Sequence, residues 1–147
     1  MPLKSFGFWR FGKEYLEAYL IIKKAKENLM ELFGVKFYLL GHSIESSLKA
    51  FLLAKDFTET QLKNEFGHNL EALLDLSVIN GLNEIVALTN EDVESIKILN
   101  LYYSKKEFEY FKGGGKTVPA YIVIEEIARK LVVSIHNQRY PRINLNI

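Results

Sequence analysis

Apolar side chains recur at helical spacing along most of this chain, at intervals of three and four residues. The first such stripe consists of Ala18, Ile21, Ala25, Leu29 and Leu32. It predicts an amphipathic helix that ends at Gly34, because glycine favours the left-handed conformation of a helix C-cap. A second helix is predicted over about 36–56, with Leu40, Ile44, Leu48, Phe51 and Leu52 facing inward.

Polar residues with capping chemistry mark the next two helices. Thr58 and Gln61 have the spacing of a capping box, which predicts a short helix over 59–66. Asn69 precedes the apolar run that stops at Asn80, so we expect Asn69 to cap that helix.

The second half of the chain contains two more helical patterns. Asn90, followed by two acidic residues, predicts the start of a long helix that reaches about Lys112. Residues 113–115 are three glycines and predict a flexible turn. Pro119 is tolerated in a first helical turn, and the last helix should extend to about Gln138. Because no segment alternates like a strand, the pattern predicts an all-α, antiparallel bundle of four or five helices.

The length of 147 residues fits a single domain over 1–147, with an aromatic N-terminal arm over 1–12 and a tail over 139–147. The chain has no cysteine, which excludes disulfides, a thiol nucleophile and thiolate metal ligands. It also has no apolar run of roughly 18–20 residues and no recognisable secretory signal. We therefore predict a cytoplasmic protein that does not insert into a membrane.

Charge is distributed unevenly along the chain. Residues 56–94 contain nine acidic residues and one lysine, a net charge of −8, although the whole chain carries only +1. From Ile127 onward there are four basic residues and no acidic one. Three interpretations remain open: a polyanion that binds the basic face, two copies that pair through unlike patches, and an ordinary solvated surface.

The second predicted helix carries the densest polar group. His42, Glu45, Ser46 and Lys49 share one face, because they are spaced at i, i+3, i+4 and i+7. Gly41 lies mid-helix, where glycine costs about 1 kcal/mol relative to alanine. Such a glycine permits close approach of a neighbouring helix or of a ligand.

Two histidines have a carboxylate three residues later, namely His42 with Glu45 and His68 with Glu71. These pairs could contribute metal ligands from two helices. However, first-row metal sites usually need three or four convergent ligands, and a histidine at a helix entrance often satisfies backbone groups. We therefore predict no metal and no other cofactor.

The last predicted helix places Arg129 and His136 on one stripe, because seven residues change the azimuth by only about 20°. An arginine beside a histidine suits phosphate chemistry. Alternatively, Glu125 accounts for Arg129 as a helix-surface ion pair, and His136 interacts with the helix dipole. The opposite, core-facing side consists of Ile124, Ile127, Ala128, Leu131 and Ile135.

Three strings in this chain, FYLLGHSIESSLKAFLLAKDF, GHNLEALLDL and LNLYYSKKEFEYF, occur in that order and are similar to the HEPN family of nucleotide-binding helical domains. The resemblance covers about residues 13–138. It implies an antiparallel helical bundle that is commonly homodimeric. Family members act with nucleotidyltransferases, in toxin–antitoxin pairs or in RNA processing, so the resemblance implies a nucleotidyltransferase or antitoxin partner, and nucleotide or RNA as ligand.

Catalytic members of this family carry an Arg-x4–6-His motif, which Arg129 and His136 match at its longest spacing. By this resemblance, Arg129 would hold the scissile phosphate, and His136 would assist proton transfer at the RNA 2′-hydroxyl without a metal. The chain departs from the motif at Lys130, where catalytic members usually have a small polar residue. Glu125 would also bring a negative charge beside the phosphate.

We therefore expect a non-catalytic module that binds nucleotide, RNA or a protein partner, with His42, Glu45, Lys49 and His68 as ligand-binding residues. Two alternatives remain: a metal-independent endoribonuclease with Arg129 and His136 as catalytic residues, and a purely structural assembly module. The aromatic side chains near the N-terminus, Phe6, Phe8, Trp9 and Phe11, must pack on their own bundle or on a second subunit.

Overall fold

The structure is a computed structural model that describes residues 3–109, 115 and 117–147. Six α-helices occur in this part of the chain: α1 Leu3–Ala25, α2 Phe33–Leu53, α3 Glu59–Gln61, α4 Leu70–Ile79, α5 Asn90–Tyr103 and α6 Tyr121–Arg139. A π-helical turn, Leu62–Phe66, follows α3, and a 3₁₀ turn, Leu82–Glu84, follows α4. The described residues contain no strand, which confirms the all-α prediction. None of the described helices is long and apolar enough to cross a membrane.

Helix α2 lies at the centre of the molecule and packs against α1, α4, α5 and α6. Its predicted inward residues are buried, as are the core residues predicted for α6. Short side chains let α1 approach closely: the Ser43 hydroxyl donates to the Gly12 carbonyl oxygen at 2.7 Å. A Cβ on Gly12 would lie 2.6 Å from Ser47 Oγ, so glycine is required at this crossing.

Helix α1 differs from its prediction at both ends. It begins at Leu3, so the predicted N-terminal arm is helical, and it ends at Ala25 rather than at Gly34. The Lys36 side chain satisfies carbonyl oxygens that follow this early end of the helix. Its ammonium group donates to the carbonyl oxygens of Lys26 and Asn28 at 2.8 and 2.9 Å. The predicted stripe is wrong: Ile21 and Leu29 are exposed. The buried face instead consists of Ser5, Trp9, Gly12, Leu16 and Tyr19.

The predicted caps of the short helices are confirmed. Thr58 and Gln61 form a reciprocal capping box, and Asn69 Oδ1 accepts from the Ala72 amide at the start of α4. Helix α5 is capped by Thr89 instead of Asn90, with Asp92 completing the capping box. It also ends at Tyr103, far short of Lys112.

The chain continues past α5 in turns as far as residue 109, where Lys106 has a positive φ of 58°. Lys112 and two of the three glycines predicted to form a turn lie outside the described residues. Helix α6 starts at Tyr121, two residues after Pro119.

The aromatic N-terminal segment packs on its own bundle. Trp9 is buried and its indole N–H donates to the Val132 carbonyl oxygen at 3.0 Å. Phe6 packs edge-on against Tyr140 of the tail, with ring centroids 5.3 Å apart. Ser5 donates its hydroxyl to Ala50 O, so it accepts from the Tyr140 hydroxyl at 2.8 Å. Both ends of the described chain therefore belong to one core.

Candidate functional site

A buried carboxylate, Glu45, is the centre of a polar cluster inside the bundle. The side chain is only 7% exposed and lies close to three potential donors. His68 Nδ1 lies 2.7 Å from Oε1, the Tyr103 hydroxyl donates to Oε1 at 3.1 Å, and the Lys49 ammonium donates to Oε2 at 3.3 Å. A buried carboxylate is tolerated only with such partners, so this arrangement satisfies Glu45.

The elements around Glu45 fix its partners in place. Lys49 follows Glu45 by one helical turn of α2, so the two side chains lie on the same face. His68 lies in the connection between the π-helical turn and α4, where Gly67 has a φ of +53°. Asn100 of α5 locks this connection, because its Oδ1 accepts from the Leu70 amide at 2.7 Å and its Nδ2 donates to Asn69. Two of the four predicted ligand-binding residues, Lys49 and His68, therefore both contact a third, Glu45.

The fourth predicted ligand-binding residue, His42, lies beside this cluster among aromatic rings. Its ring stacks on Tyr15 with centroids 5.0 Å apart and packs 4.3 Å from the Tyr38 ring. Burial lowers the pKa of His42 most strongly, and His68 lowers it further, whereas Glu45 and Glu109 oppose the shift. The imidazole is therefore favoured in its neutral form. Its Nε2 is buried without a hydrogen-bond partner among the described residues.

Tyr103 is a member of the cluster that was not predicted from the sequence. This tyrosine is buried, and burial together with the neighbouring Glu45 raises the pKa of its hydroxyl. The signal that could have found it is Gly41, because a Cβ at that position would lie 2.5 Å from the Tyr103 ring. The close approach predicted at Gly41 is thus made by an aromatic side chain of α5.

A pocket of about 250 Å³ opens beside the cluster, between the start of α1, α2 and the π-helical turn. Its wall consists of Phe8, Lys49, Glu59, Leu62, Lys63, Gly67 and His68. Because Nδ1 of His68 is directed at Glu45, its Nε2 lies on the opposite edge of a ring that is 41% exposed. Glu59 is partly neutralised by Lys4 at 3.1 Å. Phe8 and Lys63 were not predicted, because neither has a spacing that links it to the cluster.

The cluster is not arranged as a metal site. Within residues 3–109, 115 and 117–147, no group of three or more His, Cys, Asp and Glu side chains could hold a metal ion. His68 contacts Glu45 of α2 rather than the nearby Glu71 that its spacing suggested. The cluster can instead present an imidazole nitrogen of His68 and the Lys49 ammonium group to a ligand in the pocket.

Arg129 lies in a separate network on α6. Its Nε is 3.6 Å from Glu125 Oε2, and the Lys23 ammonium donates to Oε1 of the same carboxylate at 2.7 Å. Glu125 is buried, and Tyr19 of α1 also contacts it. Two cations and a tyrosine therefore surround one buried carboxylate, as the ion-pair interpretation of Arg129 predicts.

His136 is part of the packing between α6, α1 and the tail. The residue is 8% exposed, and its ring stacks on Trp9 with centroids 5.7 Å apart. Nε2 lies 2.6 Å from the Ile143 carbonyl oxygen, and Nδ1 lies 3.0 Å from Asn137 Oδ1. Within one chain, Arg129 and His136 thus serve different local networks, and both nitrogens of His136 have partners.

Comparison of the chain with protein-family models, with curated proteins and with solved structures gives no significant match in any of the three.

Proposed function

We propose that this chain is a non-catalytic, HEPN-like binding module whose ligand is a nucleotide, held in the pocket beside Glu45. The observation that carries this proposal is that one buried carboxylate orients both Lys49 and His68, and that both residues line the pocket. Burying charged groups costs desolvation free energy unless each group has its hydrogen-bond partners. Here the paired groups also face an open pocket.

The pocket wall combines the groups that a nucleotide requires. Lys49 and the exposed Lys63 place two ammonium groups at one pocket, which suits a phosphate. The His68 ring, which is part of the pocket wall, can form a hydrogen bond with a ribose hydroxyl. Phe8 and Leu62 supply an apolar wall against which a base can pack. The volume of about 250 Å³ is smaller than the roughly 300–1,000 Å³ of a typical small-molecule pocket, so we place only the sugar and phosphate inside it, with the base at the pocket edge.

The contacts of His136 favour binding over ribonuclease activity. An RNA 2′-hydroxyl would have to displace the Ile143 carbonyl oxygen to reach Nε2 of this imidazole. A scissile phosphate near Arg129 would also meet the negative charge of Glu125. Cleavage of an RNA ladder in EDTA that is abolished by His136→Asn would contradict a non-catalytic module.

The homodimer and the nucleotidyltransferase or antitoxin partner stay predictions. Three of the four aromatic side chains that could have bound a second subunit pack within the chain, because Trp9 is buried and Phe6 and Phe8 pack against the core; the fourth, Phe11, is 51% exposed. Sedimentation velocity over a wide concentration range, compared with the chain mass of 17.0 kDa, tests the dimer.

Calorimetric titration with AMP, ADP, ATP and adenosine tests the nucleotide proposal. We expect saturable heat with the nucleotides and at least tenfold weaker binding of adenosine, which lacks phosphate. Lys63→Gln should weaken nucleotide binding, because Lys63 lines the pocket. Lys97→Gln is the matched control, since Lys97 is on α5 and pairs with Glu94. Equal binding of adenosine and nucleotides, or no heat with any of them, would refute the proposal.

A further inference from the structure

A second cavity lies at the C-terminal end of α6, where the tail folds back over the start of α1. It has a volume of about 470 Å³ and is lined by Leu3, Phe6, Arg139, Tyr140, Pro141, Arg142 and Ile143. We call it the tail groove. Leu3 is 84% exposed and Ile143 is 43% exposed, so two large apolar side chains at this groove remain open to solvent.

The tail groove is held open by contacts that need no ligand. The Tyr140 ring is buried, packs against Phe6 and Trp9, and hydrogen-bonds to Ser5 through its hydroxyl. The Ile143 amide donates to the Tyr140 carbonyl oxygen at 2.9 Å, and the Ile143 carbonyl oxygen contacts His136. A preformed concave site loses little conformational entropy when a ligand binds.

The two arginines give the tail groove an uncompensated positive charge. No acidic side chain lines the groove. No ion pair formed among residues 3–109, 115 and 117–147 includes Arg139 or Arg142. No Asp or Glu side chain follows Glu126 in the sequence. Guanidinium groups bind carboxylates and phosphates in bidentate geometry, so the groove is complementary to an anion.

From this combination we propose that the tail groove binds a single anionic amphiphile: a carboxylate or phosphate head group at Arg139 and Arg142, with an alkyl chain along Leu3, Phe6 and Ile143. The cavity volume falls in the range of small-molecule sites, which is about 300–1,000 Å³. A stable protein interface engages roughly 20–30 residues on each side, far more than line this groove. This site is separate from the proposed nucleotide pocket, so either can fail without the other.

The probes are sodium octanoate, decanoate and dodecanoate, each below its critical micelle concentration. Trp9 is the only tryptophan and lies 5.2 Å from the Tyr140 ring, so its fluorescence reports binding in the groove. We expect saturable binding that strengthens by up to about fifteenfold for each two added methylene groups. Decanol, which has the same chain without the charge, should bind at least tenfold more weakly.

Two variants test the location of the site. Arg139→Gln/Arg142→Gln should weaken decanoate binding at least tenfold, whereas Lys97→Gln/Lys105→Gln removes the same charge elsewhere and should leave it unchanged. Leu3→Glu places a carboxylate at the exposed groove wall and should also weaken binding, and because Leu3 is largely exposed the fold should tolerate it. Unchanged affinity in both groove variants would overturn the proposal.

A further experiment distinguishes binding of a free amphiphile from binding to a membrane surface. Co-sedimentation with phosphatidylglycerol vesicles measures surface binding, and decanoate titration measures binding of one chain. The proposal requires saturable decanoate binding. Retention on vesicles without any binding of monomeric decanoate would overturn it, as would equal binding of decanoate and decanol.

Discussion

The Tyr103 ring lies directly against the backbone of Gly41: a Cβ on this glycine would be 2.5 Å from both Cδ2 and Cε2 of the ring. The contact joins α5 to α2 and sets the position from which the Tyr103 hydroxyl donates to Glu45 at 3.1 Å. A glycine in the middle of a helix therefore positions a donor in the proposed binding site.

Gly41→Ala should destabilise the protein by about 1–3 kcal/mol, because the added methyl overpacks a buried ring and outweighs the gain in helix propensity. Urea unfolding followed by circular dichroism measures the free energy of unfolding. Gly7→Ala in α1 is the matched control: nothing lies within 4 Å of its Cβ, so it should stabilise by about 0.5–1 kcal/mol. Stabilisation by both substitutions would contradict this prediction, because it would mean that the Tyr103 ring can move away from an added methyl group at little cost.

Glu45→Gln should lower the free energy of unfolding by about 3–5 kcal/mol, because it leaves the buried Lys49 ammonium without its counter-charge. Lys49→Met alone should also destabilise, since it leaves the carboxylate without its cation. The double variant should be more stable than the sum of the two single effects predicts, with a coupling of about 0.5–3 kcal/mol. Strict additivity in a double-mutant cycle would mean that the two charges do not interact.

His42 should make stability depend on pH below neutrality. Burial lowers the pKa of His42 from its ordinary value of 6.5, so the unfolded chain binds the proton more readily than the folded chain. The contribution of neutral His42 to stability is present above pH 6.5 and is lost as the pH falls below that value. The free energy of unfolding should change with a slope of at most about 1.4 kcal/mol per pH unit. His42→Phe keeps an aromatic ring beside Tyr15 and Tyr38, and it should remove this slope. Identical slopes for the two proteins between pH 7.5 and 5 would exclude this role.

Asp92 should make the free energy of unfolding depend on pH in a second, more acidic range. Burial alone would raise its pKa, but hydrogen bonds from Lys130 and from Thr89 outweigh that effect and lower the pKa below 3.8. The stabilisation is therefore present above about pH 4 and is lost as the pH falls through the lower folded value. Asp92→Asn should cost about 1–3 kcal/mol at pH 7 and much less near pH 2.

The control for Asp92 is Glu94→Gln, on the same helix. Glu94 pairs with Lys97 at 3.6 Å on the exposed surface, so its substitution should change stability by less than about 1 kcal/mol at either pH. A cost for Asp92→Asn that persists unchanged at pH 2 would mean that its charge is not the source of the stabilisation.

The two residues of the Arg-x6-His motif should differ in what their removal costs. His136→Ala deletes a buried ring that stacks on Trp9 and contacts the tail, so we expect a loss of about 2–4 kcal/mol. Arg129→Gln removes one of two cations beside Glu125 and should cost about 1 kcal/mol or less. Thermal unfolding of both variants tests this, and a His136→Ala protein as stable as the parent would show that His136 has no packing role.

The features that were predicted correctly from the sequence depend on interactions between residues close together in the chain. The capping residues Thr58 and Asn69 act through hydrogen bonds within three residues, so their signal is contained in a short window. The buried faces of α2 and α6 follow from apolar periodicity, which is also local. The alignment of Glu45 with Lys49 on one face is a consequence of helical geometry alone.

Only the tertiary structure decided which groups from distant segments meet. The end of α1 depends on Lys36, which binds the carbonyl oxygens of the connection from the next helix, and periodicity carries no trace of that contact. The contact of His68 with Glu45, 23 residues apart, and the burial of His136 under Trp9, 127 positions away, both depend on how whole helices pack. The sequence thus determined the short caps and the buried faces of α2 and α6, because backbone hydrogen bonds and side-chain periodicity act over a few residues. Packing decided the pockets, since these form only where side chains from separate helices converge.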